Sequence, residues 1–284
     1  MGLTGRELYD HTALECSKLV TLRYSTSFSL GIKTLDSKFH FPIYAIYGFV
    51  RYADEIVDTF HEQDKTRLLK EFEAETFKAI QQGISLNPIL HSFQDVVNRY
   101  NIGHDLIKAF LYSMEMDLTR TTYDQAGYVE YIYGSAEVVG LMCLKVFCGG
   151  DDAYYERLVS PARSLGAAFQ KVNFLRDFKS DYDERGRVYF PGVSFERFSA
   201  ADKLVIEKDI EADFDAAYRG ILALPSGAKM GVYLAYVYYR KLFDKIRSCP
   251  ANKIMHERIR IPDINKMGLL VSTWAKYRLY PGSL

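Results

Sequence analysis

Apolar residues recur at helical spacing along nearly the whole chain, and this periodicity leaves little room for any architecture but an all-α bundle. In residues 43–60, for example, Ile43, Ile46, Tyr47 and Val50 fall on one helical face. The 19 glycines and eight prolines among 284 residues separate periodic segments instead of punctuating tight hairpins. The pattern predicts helices over residues 8–24, 43–60, 64–82, 88–100, 105–118, 124–147 and 153–181. Helical spacing resumes near Ala201 and continues over 216–224, 228–247 and 264–277. Residues 25–29 and 182–191 read as irregular. Pro42 fits the first turn of its helix, Asp124 fits an N-cap, and Gly149-Gly150 fits a stop. With no repeat, low-complexity tract or linker, residues 1–284 are expected to form one all-helical domain. Segments 129–147 and 230–243 are apolar on much of their circumference and belong inside such a bundle.

Charge excludes some functions. Lys and Arg number 36 and so do Asp and Glu, which gives no long-range attraction to nucleic acid. The six histidines are scattered, so core or surface positions account for His11, His40, His91 and His256. Cys16, Cys143, Cys148 and Cys249 lack zinc-site or C-x-x-C spacing and read as reduced thiols of a reducing compartment. A cytoplasmic protein is expected. The N-terminus lacks the apolar core of a signal peptide, and no stretch is expected to reach the length of a membrane span. The 22 tyrosines and 18 phenylalanines suit both core edges and ligand cavities, so they do not choose between the two.

Two acidic pairs are more informative. Asp54 and Asp58 are four residues apart and share one helical face, with Cβ atoms about 6 Å from each other. Asn173, Asp177 and Asp181 repeat the interval and form an oxygen-bearing stripe about 12 Å long. A single D-x-x-x-D is ordinary on a solvated helix. Here there are two, each closing an apolar segment with Arg51 or Arg176 just upstream, and Lys179, Arg185 and Arg187 follow nearby. Facing carboxylate pairs would suit a hard cation such as Mg²⁺, which shares its coordination with water and phosphate. Arginines would grip the phosphate oxygens. No nucleotide-binding glycine motif is present, so a diphosphate on a non-nucleotide carrier fits better.

These segments resemble the squalene/phytoene synthase family of head-to-head prenyl synthases. Residues 45–58, 131–142 and 170–191 are similar to the family's first aspartate-rich motif, its tyrosine- and glycine-containing central helix, and its second aspartate-rich motif with the following loop. The resemblance implies an isoprenoid-synthase helical bundle with a central cavity. It also implies condensation of two farnesyl or geranylgeranyl diphosphates through a cyclopropyl diphosphate, with Mg²⁺ or Mn²⁺. Phytoene-type and dehydrosqualene-type members then lose a proton, whereas squalene-type members accept hydride from NADPH.

Carried onto this chain, the resemblance assigns Asp54, Asp58, Asp177 and Asp181 to the metals, with Asn173 beside the second pair. Tyr131 joins the four aspartates as catalytic. Arg51, Arg176 and Arg187 would contact diphosphate, as would the segment containing Ser27 and Phe28. Ser135, Ala136, Val139 and Gln170 would line the deep cavity. A C-terminal diphosphate-binding arginine would be Arg240, Arg258 or Arg260. Glu137 stands where many members have glycine; facing the cavity, its carboxylate would repel the second diphosphate or bind a cation. Glu55 lies off the Asp54/Asp58 face. The phytoene or dehydrosqualene type is expected, with the squalene type and a non-catalytic assembly factor as alternatives. An uncharged hydrocarbon product implies transient contact with a membrane surface.

Overall fold

The computed structural model describes residues 4–260, and apart from one isolated bridge it is helical among the described residues. Twelve α-helices follow in order: α1 (Gly5–Tyr24), α2 (Thr26–Lys33), α3 (Ser37–Asp58), α4 (Lys65–Gln82), α5 (Pro88–Tyr100), α6 (His104–Thr119), α7 (Gln125–Ile132), α8 (Val138–Cys148), α9 (Asp152–Arg185), α10 (Ala200–Leu222), α11 (Ser226–Arg247) and α12 (Ala251–His256). A π-helical turn, Tyr133–Glu137, joins α7 to α8. The helix expected over 264–277 lies outside the described residues.

Local chemistry sets many of the ends. Thr4 with Glu7, and Ser199 with Asp202, form capping boxes that satisfy otherwise free N–H groups at the starts of α1 and α10. Asp124 caps α7 by accepting from Gly127 N at 2.8 Å, as its sequence position suggests. Gly149 ends α8 in the left-handed region at φ 61°.

Several boundaries differ from the sequence pattern. Residues 25–29 were expected to be irregular, but Thr26–Lys33 forms α2, because Ser25 caps the helix through its hydroxyl on Phe28 N. Helix α3 begins at Ser37, so Pro42 lies inside it instead of in its first turn. Phe39, packed 5.3 Å from Phe147, anchors that extra turn to the core. Helix α9 runs through Arg185, four residues beyond the expected end, and α10 is continuous where two segments were expected. The run 125–148 is, by length and composition, long enough and apolar enough to cross a membrane, which corrects the expectation that no such stretch exists; over half of its apolar window is buried inside the bundle.

The core is divided. One cluster centres on Phe49 of α3, stacked on Phe93 at 3.9 Å and flanked by Phe72 and Phe110. The other joins α9 to α10 and α11 around Phe174, Phe214 and Phe243. Helix α9 approaches the π-turn closely at Gly166, where a Cβ would stand 2.9 Å from Ala136 O and Glu137 Cα. The carboxyl-terminal turns of α3 and α9, one from each cluster, carry the two acidic pairs to the seam between them.

Candidate active site

The seam is closed by one guanidinium. Arg185, the last residue of α9, places Nε 3.3 Å from Asp58 Oδ1 and Nη1 3.2 Å from Asp181 Oδ1. Two stripes remote in sequence thereby face each other. Gly186, at φ 62°, then turns the chain away, and Arg187 N donates back to Asp181 O at 3.0 Å.

On α3, Arg51 Nη1 lies 4.0 Å from Asp54 Oδ2, and the same guanidinium pairs with Glu55 and sits 4.4 Å from the Tyr24 ring centroid. One guanidinium thus reaches both Asp54 and Glu55. Arg51 Nε is buried without a hydrogen-bond partner. Phe28 stacks on Tyr47 at 4.9 Å beside this group. Ser27 lies in α2, with its side chain outside what the structure describes.

On α9, Arg176 Nη2 contacts Asp177 Oδ2 at 2.5 Å. From the chain beyond α12, Arg258 Nε reaches Asp177 Oδ1 at 2.6 Å. Of the three C-terminal arginines considered from sequence, this is the one brought to an acidic pair. Arg240 turns instead to Glu211 at 2.6 Å, and the Arg260 carbonyl accepts from Lys245. Asn173 Oδ1 accepts from the Tyr239 hydroxyl at 3.2 Å, and Gln170 Nε2 donates to Ser135 Oγ at 3.1 Å. Ala136 and Val139, both half-buried, continue the same strip of the central helix.

The sequence motifs omit one member of the site. Asp117 of α6, with a side chain 7% exposed, accepts from Tyr131 Oη at Oδ2 (2.9 Å) and lies 3.2 Å from Arg187 Nη1 at Oδ1. That second contact is a charge pair without hydrogen-bond alignment, so Oδ1 has no hydrogen-bond partner. Arg187 also donates to the Asp117 carbonyl and, at 3.4 Å, to Tyr189 Oη. Its guanidinium therefore faces Asp117 and not open solvent. Tyr131 stacks on Tyr189 at 5.1 Å, and Tyr189 on Phe174 at 4.1 Å, which gives the site an aromatic wall. The available signal was an aspartate in register with buried Phe110, Ser113 and Met114 on the core face of α6.

Burial and mutual repulsion shape the charges. Asp54 is raised to about 7, first by burial and then by Asp58 and Asp117, against the pull of Arg51. Asp181 is raised to about 7 by burial and Asp177, against Arg185 and Arg187. Asp117 is raised to about 6, mainly by burial, with Arg187 and the Tyr131 hydroxyl opposing. Burial also holds the Tyr131 hydroxyl far above its usual range, so it acts as a hydrogen-bond donor.

Among the described residues, no three acidic, histidine or cysteine groups converge on one ion-sized point. Guanidinia stand between the carboxylates instead. The donor set still fits a hard divalent cation: carboxylates that the guanidinia compensate only in part, an amide oxygen, and a buried Asp117 oxygen without a hydrogen-bond partner.

Glu137 is not part of this group. The π-turn directs its carboxylate to Arg163 Nε at 2.5 Å, beneath the Tyr133 ring. His91 is buried against Asp10 at 2.7 Å, and His40 contacts the Leu35 carbonyl, so both have structural partners away from the acidic seam.

The sequence profile described as squalene/phytoene synthase matches residues 21–264. A chloroplastic phytoene synthase 1 from Solanum lycopersicum is 27% identical over 97% of this chain and 69% of its own length. A 15-cis-phytoene synthase from Synechocystis sp. is 27% identical over 93% and 85%. Among solved structures, a dehydrosqualene synthase in complex with ligand superposes with a TM-score of 0.80 at 21% identity, covering 95% of this chain and 98% of that one. The squalene synthase HpnC from Alicyclobacillus acidocaldarius gives 0.74 at 21% identity, covering 84% and 95%. These structural likenesses establish the fold.

Proposed function

The chain belongs to the squalene/phytoene synthase family, and from that premise we propose that it joins two prenyl diphosphates head to head, releasing diphosphate and yielding phytoene or dehydrosqualene. The observation that carries this reading is the meeting of Asp58 and Asp181 across Arg185 at a seam walled by Tyr131, Tyr189 and Phe174.

In this reading Asp54, Asp58, Asp177 and Asp181, with Asn173, hold divalent cations. When bound, these would neutralise the diphosphate charge as a carbon–oxygen bond breaks. The protein's own groups do the rest. Arg51, Arg176 and Arg258 lie beside the carboxylates and grip diphosphate oxygens. The aromatic wall excludes water and presents π faces to the allylic cation formed on ionisation. That cation adds to the double bond of the second molecule, and loss of a proton closes a cyclopropyl diphosphate. The carbon–oxygen bond of this cyclopropyl diphosphate then breaks to release the second diphosphate, before rearrangement and a further proton loss set the central double bond. Beside this region the Tyr131 hydroxyl, which donates to Asp117, would have to turn from it to donate to the departing diphosphate. Ser135, Ala136, Val139 and Gln170 accommodate the prenyl chains. Retention of both acidic pairs weighs against a non-catalytic assembly factor.

Exposed apolar surface includes Tyr24 beside Arg51, Leu19 and Leu22 elsewhere on α1, Phe28 of α2 and Tyr52 of α3. It suits transient contact with a membrane surface that delivers and receives these lipids.

The test is incubation with farnesyl or geranylgeranyl diphosphate and Mg²⁺, with and without NADPH, followed by mass analysis of the hydrocarbons. A C30 or C40 triene-centred product without NADPH is expected. A product that needs NADPH moves the assignment to the squalene type, and no condensation under any condition overturns it.

A further inference from the structure

We propose that Arg185 is a built-in cation that holds the two acidic stripes together before loading, and that it must leave Asp58 and Asp181 for a divalent cation to enter between them. This rests on the metal-and-diphosphate reading above and adds a competition within it.

The geometry carries the argument. The Arg185 guanidinium forks between Asp58 Oδ1 at 3.3 Å and Asp181 Oδ1 at 3.2 Å. A magnesium ion takes carboxylate oxygens at about 2.0–2.1 Å. An ion shared by these same two oxygens would stand in the space between them that the guanidinium now fills. The neighbouring carboxylates have other cations: Arg51 beside Asp54, and Arg176 with Arg258 on Asp177. Asp58 has Arg185, with the Lys65 ammonium as its other nearby positive group. Lys65 is engaged with the Val57 carbonyl at 2.9 Å, so Arg185 is the group in the cation's place.

Its position in the chain allows the exchange. Arg185 ends α9 immediately before the left-handed Gly186, and its side chain is 30% exposed, so a rotamer change can release it without moving the core. The displaced guanidinium then needs an anion, and an incoming diphosphate supplies oxygens suited to its fork. Cation and diphosphate should consequently bind in a mutually reinforcing way, each removing an obstacle to the other.

Mn²⁺ binding to the full chain, read by electron paramagnetic resonance with and without inorganic pyrophosphate, tests this without turnover. The wild-type protein should bind Mn²⁺ weakly alone and more tightly with pyrophosphate. Arg185→Gln should bind Mn²⁺ alone about tenfold more tightly than wild type and gain less from pyrophosphate. Arg185→Lys, which keeps the charge without the fork, should fall between them. If Arg185→Gln does not fold, the lysine variant carries the test. Unchanged or weaker Mn²⁺ affinity in the folded variant, with wild type still binding Mn²⁺ plus pyrophosphate, overturns the Arg185 proposal alone. Absence of Mn²⁺ binding in every protein, pyrophosphate included, overturns it together with the metal reading on which it rests.

Discussion

Arg185 Nε lies 3.3 Å from Asp58 Oδ1, which ties the end of α9 to the end of α3 across the boundary of two hydrophobic clusters. The contact makes the acidic pairs a single electrostatic unit, because Asp58 raises Asp181 and Asp54 while Arg185 restrains Asp181. The consequences can be measured separately.

Removing one carboxylate from either stripe should disable chemistry without disturbing the fold. Asp54→Ala and Asp177→Ala are each expected to lower turnover by about a thousandfold or more, since electrostatic stabilisation of a departing diphosphate is a large part of such catalysis. Circular dichroism should show the helical signal intact. Collapse of helicity in both variants would assign these side chains to stability instead.

The raised carboxyls also make stability depend on pH in a defined direction. Asp54 and Asp181 near 7 and Asp117 near 6, against an ordinary 3.8, mean that the folded protein holds more protons than the unfolded chain between about pH 4 and 7. Their contribution is therefore complete below about pH 4 and is lost as pH rises through 7. In metal-free protein, Asp54→Asn should flatten the fall in melting temperature between about pH 4 and 7. A variant with the wild-type slope would contradict the raised value for Asp54.

Asp117 and Arg187 form the most enclosed ion pair of the site, with side chains 7% and 9% exposed. Asp117→Ala leaves a buried guanidinium without its carboxylate and should cost about 3 kcal/mol in urea unfolding. Adding Arg187→Met should recover part of that loss. Strict additivity of the two changes would show that the pair is not coupled.

Glu137 is held by Arg163, which is half-exposed, and does not reach the acidic seam. Glu137→Gln should therefore leave turnover within about threefold and cost no more than about 1 kcal/mol. A large change in diphosphate affinity would place its carboxylate at the substrate after all.

Gly166 provides a packing test of the central helix. A Cβ there would lie 2.9 Å from Ala136 O and Glu137 Cα, both backbone atoms that cannot rotate aside. Gly166→Ala should cost about 1–3 kcal/mol and lower turnover, because the displaced turn carries Ser135 and its bond to Gln170. Measured stability equal to wild type would mean that the turn yields freely.

The helical fold and the composition of both acidic stripes were legible in the sequence, because both follow from spacing. A period of 3.6 residues puts Asp54 with Asp58, and Asn173 with Asp177 and Asp181, whatever the rest of the molecule does. Capping chemistry likewise announced Asp124 and Gly149. Local rules were weaker where tertiary contacts extended a helix: Phe39 against Phe147 lengthened α3 past Pro42, and Arg185 at the seam accompanied an extra turn of α9.

Only the tertiary structure decided what faces those stripes. Nothing in the spacing of Asp117 ties it to Tyr131 and Arg187, or Arg258 to Asp177, since each pair is joined by packing between separate helices or segments. The same holds for Glu137, whose direction was set by a π-turn and by the close approach of Gly166. A sequence fixes the angle between residues on one helix; the charge at a site depends on distances between helices, and these come from how two cores bury their apolar faces against each other.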